Sequence, residues 1–408
     1  MGPQMRVLVL STLAFTLLFA VWLMFGILGK PVSAAFGLSK SEMYWLGGTA
    51  VLMGSLLRLP LGILADRIGG RNVMVALLLW TALPCALVSF CESYVQLLVC
   101  AALFGIAGNS FSVGIAWNSA WFSKETQGTA LGTFGAGNVG ASVTKVLAPG
   151  LMAALPAAGL LGGLIPGGWR AIPVIYSVLL VAMAAVVYFG SPRPERCPGQ
   201  GRSFKDMLTP LREVRVWRFG LYYIVVFGAY VALSLWLPMY YQDIYGIGLA
   251  QAGLLTCLFI FPASLLRPLG GYFSDRFGAR PVTLAVMFGM LALCVPLSMN
   301  GSTLKLPIEL FTALVVLVGV GMGVGKASVY RYIPDYFPKD VGAVGGLVGT
   351  LGALGGFFMM PLFGMIEGGG IRQSAFLVLV GLTFCSLTWL LLVVTQLRRR
   401  EREALAAT

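Results

Sequence analysis

The 408 residues include no histidine, and only 15 carboxylates stand against 28 lysines and arginines. Without an imidazole there is no histidine metal site, no histidine-dependent triad and no histidine proton relay. Seven cysteines (Cys85, Cys91, Cys100, Cys197, Cys257, Cys294, Cys385) are scattered, mostly in apolar runs and with no CxxC pair. They read as small core residues, not as a disulfide framework or a metal site. Charged residues are only 11% of the chain, whereas 58% is apolar and 53 residues are glycine, which rules out an ordinary soluble enzyme. A net charge of +13 admits nucleic acid in principle, but hydropathy this high makes the membrane the partner and nucleic acid none.

A bilayer core of about 30 Å takes about 20 apolar residues at helical rise. Twelve stretches meet this: 6–29, 41–64, 72–90, 94–117, 127–153, 170–190, 217–241, 250–273, 281–299, 307–330, 342–366 and 373–397. The first is too long for a signal peptide and lacks a small-residue cleavage site before Lys30 and Pro31, so it reads as a retained helix. Twelve spans put both termini on one side. That side collects 19 cations, among them Arg6, Arg67, Arg71, Lys124, Arg276, Arg280, Arg331, Lys339, the 193–218 cluster and Arg398–Arg402. The other holds Lys30, Lys40, Arg170, Lys305 and Arg372, balanced by Glu42, Glu92, Asp243, Glu309 and Glu367. The bias predicts cytoplasmic termini in a cytoplasmic (inner) membrane, with the Arg398–Arg402 run as a stop-transfer signal.

The chain also repeats itself. Residues 56–71 and 265–280 share Leu56, Leu57, Arg58, Gly62, Asp66, Arg67, Gly69 and Arg71 at a constant offset of 209. The stretch 191–216, rich in Pro, Gly and Arg, lies between the copies. The organisation expected is an all-α membrane protein: a six-helix bundle over 1–190, a linker over 191–216, a second bundle over 217–397 and a tail over 398–408. In such a parallel repeat the substrate sits near the midplane, between halves that rock.

The block from Gly62 through Asp66 and Arg67 to Gly69 and Arg71 resembles the cytoplasmic loop motif of the major facilitator superfamily. Its copy, with Gly271, Asp275, Arg276 and Arg280, resembles the degenerate second occurrence. An Asp at a helix end with arginines in a glycine turn is expected to pair across the halves and hold one gate state.

No carboxylate falls at membrane depth, but Arg58, Lys145, Arg267 and Lys326 sit well inside apolar spans. Each costs roughly 2.5–3.5 kcal/mol at a helix centre. With no acidic partner available, the simplest compensation is a hydrated cavity that takes an anion. Arg58 and Arg267 are related by the repeat and are expected to face each other. Two guanidinium forks donate paired hydrogen bonds to a planar oxyanion such as nitrate, nitrite or formate, a geometry an ammonium lacks. For Lys145 and Lys326 a cavity role and a helix-capping role both stand.

Glycines recur at helical spacing in span five (Gly132, Gly135, Gly137, Gly140) and span eleven (Gly345, Gly349, Gly352), where they allow close, sliding helix contacts. Asn138 among them offers an amide to an anion or to a neighbouring helix. Together with Gly108-Asn109-Ser-Phe111, Ala116-Trp-Asn118-Ser-Ala-Trp-Phe122 and Lys124 to Gly132, this region resembles the nitrate signature of the nitrate/nitrite porter family within the major facilitator superfamily. The resemblance covers essentially the whole chain. It implies twelve helices in two pseudo-symmetric bundles, and Arg58 and Arg267 as the substrate clamp with Asn138 bordering it. It further implies that Phe111 and Tyr230 sandwich the anion and that Lys326 lies on the cavity wall.

The reading is a nitrate or nitrite carrier working by alternating access as a monomer, without cofactor or metal. Missing proton carriers favour nitrate/nitrite exchange over proton-coupled uptake, with a lysine as the only titratable candidate. A small-carboxylate exchanger of the oxalate/formate kind is the alternative. No soluble domain, nucleotide loop or catalytic cluster points to an enzyme or sensor.

Overall fold

Prolines and glycines decide where the apolar runs bend. The computed structural model describes residues 2–155, 159, 161–163, 165–201, 203, 205, 208–300, 304–338, 340–368, 370–371 and 373–406. The first half contains α1 (Pro3–Trp22), α2 (Phe25–Phe36), α3 (Lys40–Leu56), α4 (Arg58–Ile68), α5 (Gly70–Val88), α6 (Tyr94–Gly105), α7 (Ser110–Trp121), α8 (Lys124–Gly135), α9 (Gly140–Ala154) and α10 (Ala171–Gly190). The second contains α11 (Val214–Tyr223), α12 (Ala229–Tyr245), α13 (Leu249–Leu265), α14 (Arg267–Phe277), α15 (Ala279–Ser298), α16 (Ile308–Tyr336), α17 (Val341–Gly368) and α18 (Ser374–Ala406). These form twelve spans in two pseudo-symmetric bundles, and several spans are two helices in series.

Among the described residues, eleven spans are long and apolar enough to cross a bilayer by length and composition. The fifth, expected over 127–153, is not among them: its first helix, α8, begins Lys-Glu-Thr-Gln and is rich in glycine and threonine, and a 3-10 turn at Ala136–Val139 joins it to α9. The helices also run deeper than expected on the side of the termini, so that Asp66 and Asp275 lie inside α4 and α14. What remains of each motif loop is one residue, Gly69 (φ 93°) and its repeat mate Gly278 (φ 86°), in backbone conformations that side chains with a Cβ avoid. On the opposite side, Ser39 and Ser93 start α3 and α6 with capping boxes to Glu42 and Gln96. Arg202, Lys339 and Arg372 of the charge balance lie outside the described residues, as do 407–408 of the tail.

Side chains such as Leu83, Val95, Phe189 and Met365 are largely exposed in the isolated chain, a girdle that suits lipid. The bundles meet where α4 and α3 pack on α17, and where α14 packs on α8 and α13 on α9.

Candidate anion site

The repeat places its two arginines at matching breaks. Pro60 and Pro268 have no N–H to donate to Leu56 and Ser264, and the chain departs from helical geometry at Leu57 (φ −93°, ψ 5°) and Leu266 (φ −85°, ψ 2°). Arg58 and Arg267 follow these breaks at once. The spans that face them are interrupted as well, by 3-10 turns at Ile106–Asn109 and Ala136–Val139 and by a π turn at Ile224–Gly228. Irregular backbone of this kind, buried in protein at membrane depth, commonly surrounds a transporter's substrate.

Both guanidinium groups are shut off from solvent. Arg58 donates from Nε to the Gly54 carbonyl at 2.9 Å and from Nη1 across the interface to the Gly349 carbonyl at 3.0 Å. Its Nη2 has no partner, nor have Nε and Nη1 of Arg267. The side-chain amide of Asn138 is buried with both polar atoms unpaired. Among the described residues, no carboxylate pairs with Arg58, Arg267, Lys145 or Lys326.

Both arginines stand against the Phe111 ring, its centroid 5.7 Å from Cζ of Arg58 and 5.1 Å from Cζ of Arg267. Phe227 runs nearly parallel to it at 6.0 Å and 13°, and Tyr223 at 6.3 Å and 15°. Tyr330 meets its edge at 5.1 Å, and Trp22 stands 5.4 Å from Cζ of Arg58. Tyr230 is placed differently from the expected sandwich. Its ring carries the Lys326 ammonium at 3.1 Å, while its hydroxyl donates to the Asn138 carbonyl at 3.2 Å. The face opposed to Phe111 therefore comes from Phe227 and Tyr223. Lys326 also donates to the Ala263 carbonyl at 3.0 Å, so it borders the centre. Lys145 does not join it: its hydrogen bond is to Ala141 of its own helix at 3.2 Å.

The glycines do more than let helices slide. A methyl on Gly135 would overlap the Arg267 guanidinium, and one on Gly349 would stand 2.8 Å from the Tyr330 hydroxyl and 3.4 Å from Arg58 Cδ. Gly132 faces the Arg267 backbone, Gly352 the Tyr223 ring, Gly137 the Phe15 ring of α1 and Gly140 the backbone of α1. Gly345 is looser, with its nearest neighbour at 3.4 Å.

On the side of the termini the halves are closed. Gly62 and Gly271 lie against the Gly342 and Gly128 carbonyls, and the Asp66 carboxylate sits on Gly342 in the first turn of α17, where a helix N-terminus favours it. Asp275 accepts from the Thr129 amide at 2.9 Å and hydroxyl at 2.8 Å across the interface, and from Arg331 Nε at 2.6 Å within its own half. The motif arginines do not make the expected pairs across the halves. Arg67 points to solvent, Arg276 turns to Tyr272 and Phe277, and Arg280 donates to Tyr336. Arg71 instead faces Glu195 of the linker at 3.7 Å.

The family model of the Major Facilitator Superfamily matches residues 10–255 and 241–407. A probable nitrate/nitrite antiporter NarK1 of Thermus thermophilus is 59% identical over 98% of this chain and 94% of its own length. The chain belongs to the nitrate/nitrite porter family of the major facilitator superfamily. A nitrite extrusion protein of Bacillus subtilis is 31% identical over 86% of this chain and 84% of its own length. The crystal structure of the human organic anion transporter MFSD10 superposes with a TM-score of 0.70 over 96% of this chain and 100% of that one, at 17% identity, which is a likeness of fold. Within this porter fold, the aromatic frame of Trp22, Tyr223, Phe227 and Tyr330 had no counterpart in the sequence reading. An aromatic residue in an apolar helix carries no mark of which way it faces.

Proposed function

We propose that this chain carries nitrate and nitrite across the cytoplasmic membrane by alternating access, with the anion clamped between Arg58 and Arg267. The observation that carries the reading is the set of buried donors without partners, namely Arg58 Nη2, Arg267 Nε and Nη1, and the Asn138 amide. A desolvated, unpaired guanidinium is costly, and a planar monoanion supplies the missing acceptors. The Phe111 ring and the parallel Phe227 and Tyr223 faces favour a flat guest. At an effective dielectric near 20 and 4 Å, each cation contributes roughly 4 kcal/mol of attraction before the anion's own desolvation is subtracted. Net affinity is then modest, as a carrier that must release its cargo requires. The names of the relatives fit the same substrates.

Exchange follows from the charge balance. An empty centre leaves two guanidinium groups repelling across halves that must close over them, so reorientation is cheaper with an anion in place. No histidine and no midplane carboxylate stand ready to carry a proton in its stead. In this reading the bundles are 1–190 and 217–397, joined by the linker 191–216. The termini with the tail 398–408 face the cytoplasm, and the monomer is the working unit. The closed side is then cytoplasmic, and it opens when Asp275 leaves Thr129 and Asp66 leaves Gly342.

Counterflow of labelled nitrate against internal nitrite in proteoliposomes, with and without a pH gradient, tests the proposal. Rapid exchange that ignores the gradient is expected. Net nitrate accumulation in nitrite-free vesicles, driven by a proton gradient alone, would refute exchange.

A further inference from the structure

On the side away from the termini, a cavity of about 290 Å³ opens between the halves, with Phe25, Gly26, Met43, Leu235, Gln242 and Asp243 in its lining. The arginines do not reach it. At Gly26 its floor is thin: a methyl there would stand 3.0 Å from Leu235 Cδ2 and 3.5 Å from the Lys145 Nζ. Lys145 is only 4% exposed, and an ammonium with three donors has one weak hydrogen bond to its own helix. Cys257 of α13 is its electrostatic neighbour across the interface, and no described carboxylate lies within ion-pair distance of it. Asp243 of the lining is two helical turns beyond Leu235, about 12 Å toward the open end. Lys145 itself is seven residues, or about 10 Å along the helix axis, from Asn138 at the arginine centre.

We infer that Lys145 forms an outer anion site at the floor of this cavity, the first stop of a small monovalent anion on its way to the arginines. The inference rests on the anion-carrier reading above and gives that carrier a second, sequential site. A lone buried ammonium in the membrane interior needs a counter-charge, and the cavity reaches Gly26, where an added methyl would stand 3.5 Å from the ammonium. A single flexible ammonium holds an anion without the fixed fork of a guanidinium, which suits a transient stop. Its field, focused through apolar walls, raises the local anion concentration at the entrance. Removing Lys145 therefore slows entry and exit on one side and leaves the final affinity alone.

The test uses the full chain in proteoliposomes, with labelled nitrate presented from one face at a time, and equilibrium nitrate binding in detergent. In Lys145→Gln, kcat/KM for nitrate on the cavity side is expected to fall about tenfold, within the range by which focused potentials raise on-rates. Nitrate presented from the other face must leave through the same cavity, so its kcat/KM falls with it, whereas the equilibrium affinity stays within about twofold and Lys145→Arg restores the lost rate. Gly26→Val keeps the charge and covers it from the cavity, and it should lower the same rate even if Lys145→Gln does not fold. An unchanged cavity-side kcat/KM in these variants overturns the outer site. A loss of rate that comes with weakened equilibrium affinity also overturns it, by placing Lys145 in the clamp or in helix packing. A wild-type chain that neither binds nor moves nitrate fails at the earlier step and removes the carrier reading itself.

Discussion

Replacing Gly135 by alanine adds one methyl group, and the structure determines what that methyl meets. Its carbon would overlap the Arg267 guanidinium, standing 2.6 Å from Nη2 with Cζ and Nε nearer still. Carbon contacts settle near 3.5 Å or beyond, so something must move by about 1 Å. The Arg267 head is the part that yields, because its Nε and Nη1 are bound to nothing in the protein and it ends a flexible side chain. Backbone movement is thereby spared, and the folding cost should stay at the lower end of the roughly 1–3 kcal/mol typical of overpacking. Function is not spared, since a 1 Å misplacement of a positioning group costs about 10²-fold in rate. Nitrate exchange by Gly135→Ala in proteoliposomes should fall by about that factor, with the purified protein still monodisperse and its Tm only slightly lowered. Gly289→Ala, where nothing lies within 4 Å of the added methyl, is the control and should exchange normally. Exchange by Gly135→Ala within threefold of wild type would refute the seating of Arg267 on Gly135.

Asp275→Asn removes the ion pair with Arg331 and weakens the bonds from Thr129, interactions worth about 1.5–3 kcal/mol when charged. It should shift the resting population toward the form open on the side of the termini, read as faster alkylation of a cysteine introduced there; unchanged labelling would contradict the gate assignment. Burial of Glu195 beneath Arg71, Trp117 and Trp121 raises its pKa, outweighing the lowering by Arg71 and the indoles. The folded chain then takes up this proton at higher pH than the unfolded chain, so stability rises as pH falls through the window between the two values. Glu195→Gln should remove that part of the Tm gain on mild acidification, and an identical Tm profile for the variant would count against it. Oxalate, despite its second charge, should fail to compete with nitrite for binding, because shape and desolvation exclude a dianion from a flat aromatic slot; equal competition would favour a carboxylate exchanger.

The arginines were legible because a charge inside an apolar run stands out and the repeat doubles it. The repeated loop motif was legible as a location, but not as a set of contacts. Asp66 and Asp275 stand at the interface as their helix-end positions required, yet the partners are a helix N-terminus, Thr129 and Arg331. Arg331, counted as one more positive charge near the termini, lies inside the long α16 and pairs with Asp275. Phe227 could not be singled out, because the π turn at Ile224–Gly228 that sets its direction leaves no periodic trace in a run of apolar residues. Gly135 and Gly349 looked like their packing neighbours, and only the position of the guanidinium groups separates them. Glu195 was hidden for another reason: a linker rich in Pro, Gly and Arg shows no pattern that says which residue docks.

Equilibrium binding of nitrate to purified Arg58→Lys and Arg267→Lys tests the clamp most directly. Each variant keeps its charge and loses the fork. If a guanidinium holds the anion by a charge-assisted bond that lysine cannot replace, each change costs about 2–3 kcal/mol, or roughly 30- to 140-fold in Kd. Weakening on that scale in both variants, with folding intact, is what the account predicts; a Kd within threefold of wild type in either one would contradict it.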